Sequence, residues 1–110
     1  NKYLGNYDFT RRDSYYAYPN YVDKTYAKVF KGSVKKGDLE NELIIHFDNY
    51  VNSSGYTIEN IETFNVDYEG NILEGNVLRG EFYSTKKIEL VFPVPGLGRV
   101  GNIIYTGVRK

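Results

Sequence analysis

Hydrophobic and polar residues alternate with a period of two along most of this chain. Tyr3, Gly5, Tyr7 and Phe9 alternate with Leu4, Asn6, Asp8 and Thr10, and Leu43, Ile45 and Phe47 alternate with Ile44, His46 and Asp48. The same rhythm returns in Phe64, Val66 and Tyr68 around Asn65 and Asp67, and in Ile88, Leu90 and Phe92 around Glu89 and Val91. It closes the chain in Val100, Asn102, Ile104, Thr106 and Val108, set between Ile103, Tyr105 and Arg109. Side chains two positions apart share one face of a strand, so each run predicts a strand with one buried face. No window of about twelve residues carries the i, i+3, i+4, i+7 apolar face of a helix.

The breaks between runs carry turn chemistry: Lys36-Gly37-Asp38, Asn52-Ser53-Ser54-Gly55, Glu69-Gly70-Asn71, Gly75-Asn76 and Thr85-Lys86-Lys87. Short polar turns of this kind join antiparallel neighbours. They predict eight strands, near 3–12, 24–34, 42–50, 56–60, 61–68, 71–79, 80–92 (with a hairpin near 85–87) and 99–109. The expected fold is all-β, a small antiparallel lipocalin-like barrel, with a β-sandwich as the alternative. A meander closes only when its ends meet, so the first and last strands are expected to pair, with Val100, Ile104 and Val108 packed near Tyr7 and Phe9. Two connections exceed a hairpin. One runs from Asp13 to Asp23; the other is Phe92-Pro93-Val94-Pro95-Gly96-Leu97-Gly98, where prolines remove ladder donors.

At 110 residues the chain is read as one domain, 1–110, large enough for a single core. It has no Cys, which excludes disulfides, thiol nucleophiles and thiolate zinc sites. It also has no Met and opens on Asn1, from which a processed or excised chain is expected. No stretch approaches the roughly 20 apolar residues of a membrane helix. Charge is neutral overall but segregated: residues 1–37 sum to +5, 38–81 to −9 and 82–110 to +4. If the first and last segments meet in space, one side of the domain is basic and the other acidic, a dipole able to orient it on a charged partner.

Tyr3-Leu4-Gly5-Asn6-Tyr7-Asp8-Phe9, Leu43-Ile44-Ile45-His46-Phe47-Asp48-Asn49-Tyr50 and Gly101-Asn102-Ile103-Ile104-Tyr105-Thr106-Gly107 resemble small secreted lipoproteins of Bacteroidetes, whose domains are similar to calycins. Gly5-Asn6-Tyr7 resembles the Gly-x-Trp element of lipocalins, with Tyr for Trp, and Arg109 could take the part of their late arginine. The resemblance implies a lipidated Cys upstream of Asn1 as the only link to a membrane, and a location in the periplasm or at the cell surface.

Candidate chemistry is sparse, and no cofactor or metal is expected. His46, the single histidine, has Asp48 as its same-face neighbour, but no Gly-x-Ser-x-Gly elbow accompanies Ser33, Ser53, Ser54 or Ser84, and a structural role is the simpler account. Glu59, Glu62, Asp67, Glu69, Glu74 and Glu81 could supply the paired acids of a hydrolase; solvated strand edges explain them as well. Gly96-Leu97-Gly98-Arg99-Val100-Gly101 matches a dinucleotide fingerprint in letters alone, since a β pattern follows it where a helix is required. Basic residues Arg11, Arg12, Lys24, Lys28, Lys31, Lys35 and Lys36 lie among aromatics, but the acidic middle repels phosphate and no nucleic-acid partner is expected.

The strongest candidate is aromatic. Of twelve tyrosines, Tyr15, Tyr16, Tyr18 and Tyr21 cluster in what reads as a loop, flanked by Arg11 and Arg12. Such rings stack on sugars and anchor protein partners, so a glycan, peptide or protein ligand is expected there. The competing account is a loop folded back to plug one end of the barrel. A non-catalytic binding domain is the leading function, and a hydrolase using His46 or paired acids is the alternative.

Overall fold

The structure, a computed structural model, describes residues 2–51, 57–94 and 96–110, apart from the side chains of 48–51 and 57–62. Its strands are β1 (Gly5–Ala17), β2 (Asn20–Thr25), β3 (Phe30–Lys36), β4 (Glu42–Val51), β5 (Thr57–Val66), β6 (Asn71–Glu74), β7 (Val77–Ser84), β8 (Lys87–Pro93) and β9 (Arg99–Arg109), with no helix among the described residues. They form one sheet in the order β2-β1-β3-β4-β5-β6-β7-β8-β9, and β1 also pairs antiparallel with β9. Eight strands thereby close into an antiparallel barrel, and β2 is attached to it as a ninth.

Several boundaries differ from the sequence pattern. The strands expected at 56–60 and 61–68 are one strand, β5, whereas 71–79 is divided at Gly75-Asn76 into β6 and β7. The run 24–34 is interrupted between Thr25 and Phe30. Both pieces of that run lie against the same edge of β1: β3 pairs with Gly5–Phe9 and β2 with Arg12–Ala17. The segment 13–17 is strand, not loop, because β9 supplies a partner for every residue up to Ala17↔Arg99. Tyrosine fits a pleated surface well once a neighbouring strand exists.

The last strand enters in the opposite phase to that expected. Gly107, Tyr105 and Ile103 are the partners of inward-facing Phe9, Arg11 and Asp13, so Val100 and Val108 point outward and are exposed. The reason is room around Phe9. A Cβ on Gly107 would lie 2.5 Å from the Phe9 ring, and one on Gly32 across the other neighbouring strand 2.6 Å from it. A large ring on the central strand therefore requires hydrogen as the side chain on both sides.

Around Phe9 the core is apolar and closely fitted. Tyr7, Phe9, Leu43, Ile45, Phe64, Ile72, Ile88 and Leu90 are almost wholly buried, and the rings of Phe9, Phe30, Phe47 and Tyr105 make edge and stacked contacts. At the end carrying both termini, Arg109 donates from Nη1 to the carbonyls of Lys2 (2.8 Å) and Leu4 (3.2 Å) and is the cross-strand partner of Tyr7. The Tyr7 hydroxyl donates to the Tyr3 carbonyl at 2.7 Å, and the Tyr3 ring stacks on Phe82. The basic first and last segments are joined through β1 and β9, while the acidic segment forms β4 to β7, so the charge does separate onto two sides of the barrel.

Candidate binding site

The tyrosine cluster is a β-hairpin at the far end of β1 from the termini. Residues 16–21 turn through a cis Tyr18–Pro19 peptide, and the register Ala17↔Asn20, Tyr16↔Tyr21, Tyr15↔Val22 continues to Arg12↔Thr25. Because side chains alternate, the hairpin has two unlike faces.

Its outer face is aromatic and open. Tyr21, Tyr16 and Val100 form one row across β2, β1 and β9, at 63%, 42% and 73% exposure, and Tyr18 at the turn is 84% exposed. The next row is polar, Asp23, Ser14 and Asn102, and the one after it is mixed, Thr25, Arg12 and Ile104. Ser14 and Tyr21 share a short hydroxyl–hydroxyl hydrogen bond, which orients the ring. Arg12 donates to both carboxylate oxygens of Asp23, at 2.9 and 2.8 Å, and those hydrogen bonds hold Asp23 below the usual carboxylate range. The one ion pair on these rows is thus internally neutralised.

The inner face is polar, and it is covered at Arg11 and Asp13. Arg11 and Asp13, two residues apart on the same side of β1, form a bidentate pair at 2.7 and 3.0 Å with both side chains under a tenth exposed. Burial is the largest single influence and works against the Arg11 charge, but the Asp13 hydrogen bond together with the attraction of Tyr105, Asp13 and Tyr26 leaves the guanidinium pKa raised. Tyr26 donates its hydroxyl to Asp13 at 3.1 Å while its ring lies 4.8 Å from the Arg11 guanidinium and 4.5 Å from the Lys24 ammonium. Burial and the Asp13 hydrogen bond both push the Tyr26 phenol up. Tyr15 is half-buried here with Arg99 over its ring at 5.6 Å.

The six residues expected to form the site are therefore divided. Tyr16, Tyr21 and Arg12 share the outer face and Tyr18 is exposed at the turn; Tyr15 and Arg11 face inward, and Arg11 is a buried structural cation. The exposure of Tyr16, Tyr18 and Tyr21 also excludes the plug for these three rings; only Tyr15 turns in. Val100 and the β2 edge, which faces no other strand among the described residues, were missed by the sequence, the first because β9 carries apolar residues on both faces.

The other candidates are dispersed. His46 lies outside the barrel on β4 opposite Ser33 of β3; Asp48, Glu59 and Glu62 fall outside the described side chains. Asp67 closes the 67–71 turn by accepting from the Asn71 and Glu69 amides and from Asn71 Nδ2, which keeps it below the usual carboxylate range. Glu69 is exposed beside it, and Glu74 pairs with Arg79. Glu81 and Glu89 are cross-strand partners on the outer wall, where Tyr83 donates to Glu89. Gly98 sits in the β8–β9 connection at φ 76°, a turn position and not part of a phosphate cradle opening a helix. No group of three or more potential metal ligands occurs among the described residues. Compared with protein-family models, curated proteins and solved structures, the chain has no match in any of the three.

Proposed function

We propose that this chain is a non-catalytic binding or interaction domain of a bacterial envelope protein, and that the outer face of the β1–β2 hairpin is its contact surface. One observation carries the reading: Tyr16 and Tyr21 stand exposed on one side of a hydrogen-bonded sheet with Tyr18 exposed at the turn between them, while Tyr3 and Tyr7 pack into the core. Rings held on a strand offer large amphipathic area at little side-chain entropy cost, which suits a glycan or a peptide. The envelope location rests on the lipoprotein resemblance, and a lipobox Cys in the preceding sequence would support it.

The test replaces Tyr16 and Tyr18 together by Ala and measures both retention on glycan and peptide arrays and the thermal midpoint. Retention should be lost, each ring contributing about 1–3 kcal/mol as on other stacking platforms, with the midpoint nearly unchanged. A large fall in the midpoint with binding retained would refute the reading. So would a hydrolytic turnover by the native chain that His46→Ala abolishes.

A further inference from the structure

A closed barrel normally leaves no strand edge open to pairing. Among the described residues, this one keeps an edge. β2 pairs with β1 and with no other strand among the described residues, and β4 beyond Phe47 pairs with β5 and not with β2.

The register says which groups that edge presents. The Tyr26 amide donates to the Arg11 carbonyl at 2.9 Å, so 11↔26 is a hydrogen-bonded pair. Hydrogen-bonded and non-hydrogen-bonded pairs alternate in an antiparallel ladder. The pairs 13↔24, 15↔22 and 17↔20 are then bonded, while the N–H and C=O of Tyr21, Asp23 and Thr25 turn away from β1 toward the open edge.

We propose that β2 binds an extended peptide by strand addition. This inference rests on the binding reading above and names its partner. The backbone of residues 21, 23 and 25 would supply the ladder, and two side chains would read the sequence. A peptide residue opposite Tyr21 lands on the outer face beside Tyr21 and Tyr16, a place for an aromatic or large apolar side chain. A residue opposite Lys24 lands on the inner face. There Lys24 has a ring contact with Tyr26 and no carboxylate partner among the described residues, so the complementary residue is acidic. In an antiparallel peptide this spells an acidic residue followed three positions later by an aromatic one.

A second copy of the chain fits this edge poorly. A two-fold axis perpendicular to a continuous sheet keeps each side chain on its own face, so the paired residue numbers must sum to an even value. Centring on Asp23 opposes two carboxylates, and centring on Lys24 opposes two ammonium groups, both unfavourable. Centring on Val22 sets Pro19 against Thr25, where proline has no amide to donate.

The experiment is a positional array of seven-residue Thr/Val peptides probed with the whole chain, followed by titration of the preferred sequence. Enrichment of Glu or Asp three residues before Tyr or Phe is expected. N-methylation of the aromatic residue's amide, which faces β2, should weaken binding at least ten-fold; N-methylation of the acidic residue's amide should not. Thr25→Pro removes an edge amide that has no internal partner among the described residues and should abolish binding without moving the thermal midpoint. If that variant fails to fold, Lys24→Glu serves instead, and preference should switch to Lys-bearing peptides. Binding indifferent to N-methylation and to both variants would overturn strand addition. Glycan retention that depends on Tyr16 and Tyr18, with no peptide bound, would also overturn it while leaving the binding-domain reading in place; no tyrosine-dependent binding of either kind removes both.

Discussion

The barrel around Phe9 and the hairpin around Tyr16 are built from the same residue types on the same two strands, yet they are organised in opposite senses. Near Phe9, rings face inward, the neighbouring strands give up their side chains at Gly32 and Gly107, and the remaining space is filled by Phe30 and Phe47. Near Tyr16, rings face outward, and the inner side is held by an ion pair and a phenol, Arg11, Asp13 and Tyr26. Aromatic content therefore does not mark function in this chain. What distinguishes the two regions is whether a third layer covers the ring: the opposite wall of the barrel covers Phe9, and nothing among the described residues covers Tyr18 or Tyr21.

This contrast predicts a graded series of effects on stability. Phe9→Ala should be the most damaging, costing about 3–5 kcal/mol through lost burial and a cavity between two glycines that cannot collapse to fill it; chemical denaturation measures it. Asp13→Ala should follow at roughly 2–4 kcal/mol, because it removes the carboxylate that accepts from both the buried Arg11 guanidinium and the Tyr26 hydroxyl. If Asp13→Ala proved as harmless as a surface change, the inner face of the hairpin would not be a structural element and the comparison would fail. Gly107→Ala should cost about 1–3 kcal/mol by overpacking against Phe9, whereas Gly75→Ala meets no atoms and should register only the strain of its positive φ.

A pH titration sharpens the comparison further. Burial raises the phenols of Tyr7 and Tyr105, and burial with the Asp13 hydrogen bond raises that of Tyr26. Groups that hold protons more tightly when folded contribute fully below their unfolded pKa. Stability should thus be constant near neutrality and fall as pH rises above about 10. Tyr105→Phe should make that alkaline fall shallower. The smallest effect belongs to the proposed contact surface: Tyr16→Ala and Tyr18→Ala should each move stability by no more than about 0.5 kcal/mol, although together they are expected to abolish binding.

Period-two alternation and the turn residues determined by themselves that the chain is all-β, where most strands begin, and that β1 and β9 meet, because a half-buried strand must repeat its apolar positions every second residue. Tertiary structure decided what local pattern leaves open. Along β9, apolar residues occupy both parities, Ile103 and Tyr105 as well as Val100, Ile104 and Val108, so the sequence offers two registers of similar appearance. The volume of Phe9 selects the one that turns Gly107 inward. Likewise Tyr15 and Tyr16 are adjacent and identical, and one is half-buried while the other is exposed only because β9 extends the ladder past Asp13 and assigns them opposite faces. Arg11 and Arg12 divide in the same way, one into a buried pair with Asp13 and one onto the rim with Asp23. Composition could point to the segment. Which of its side chains reach solvent was fixed by a strand some 85 residues away in sequence, through the alternation that strand pairing imposes.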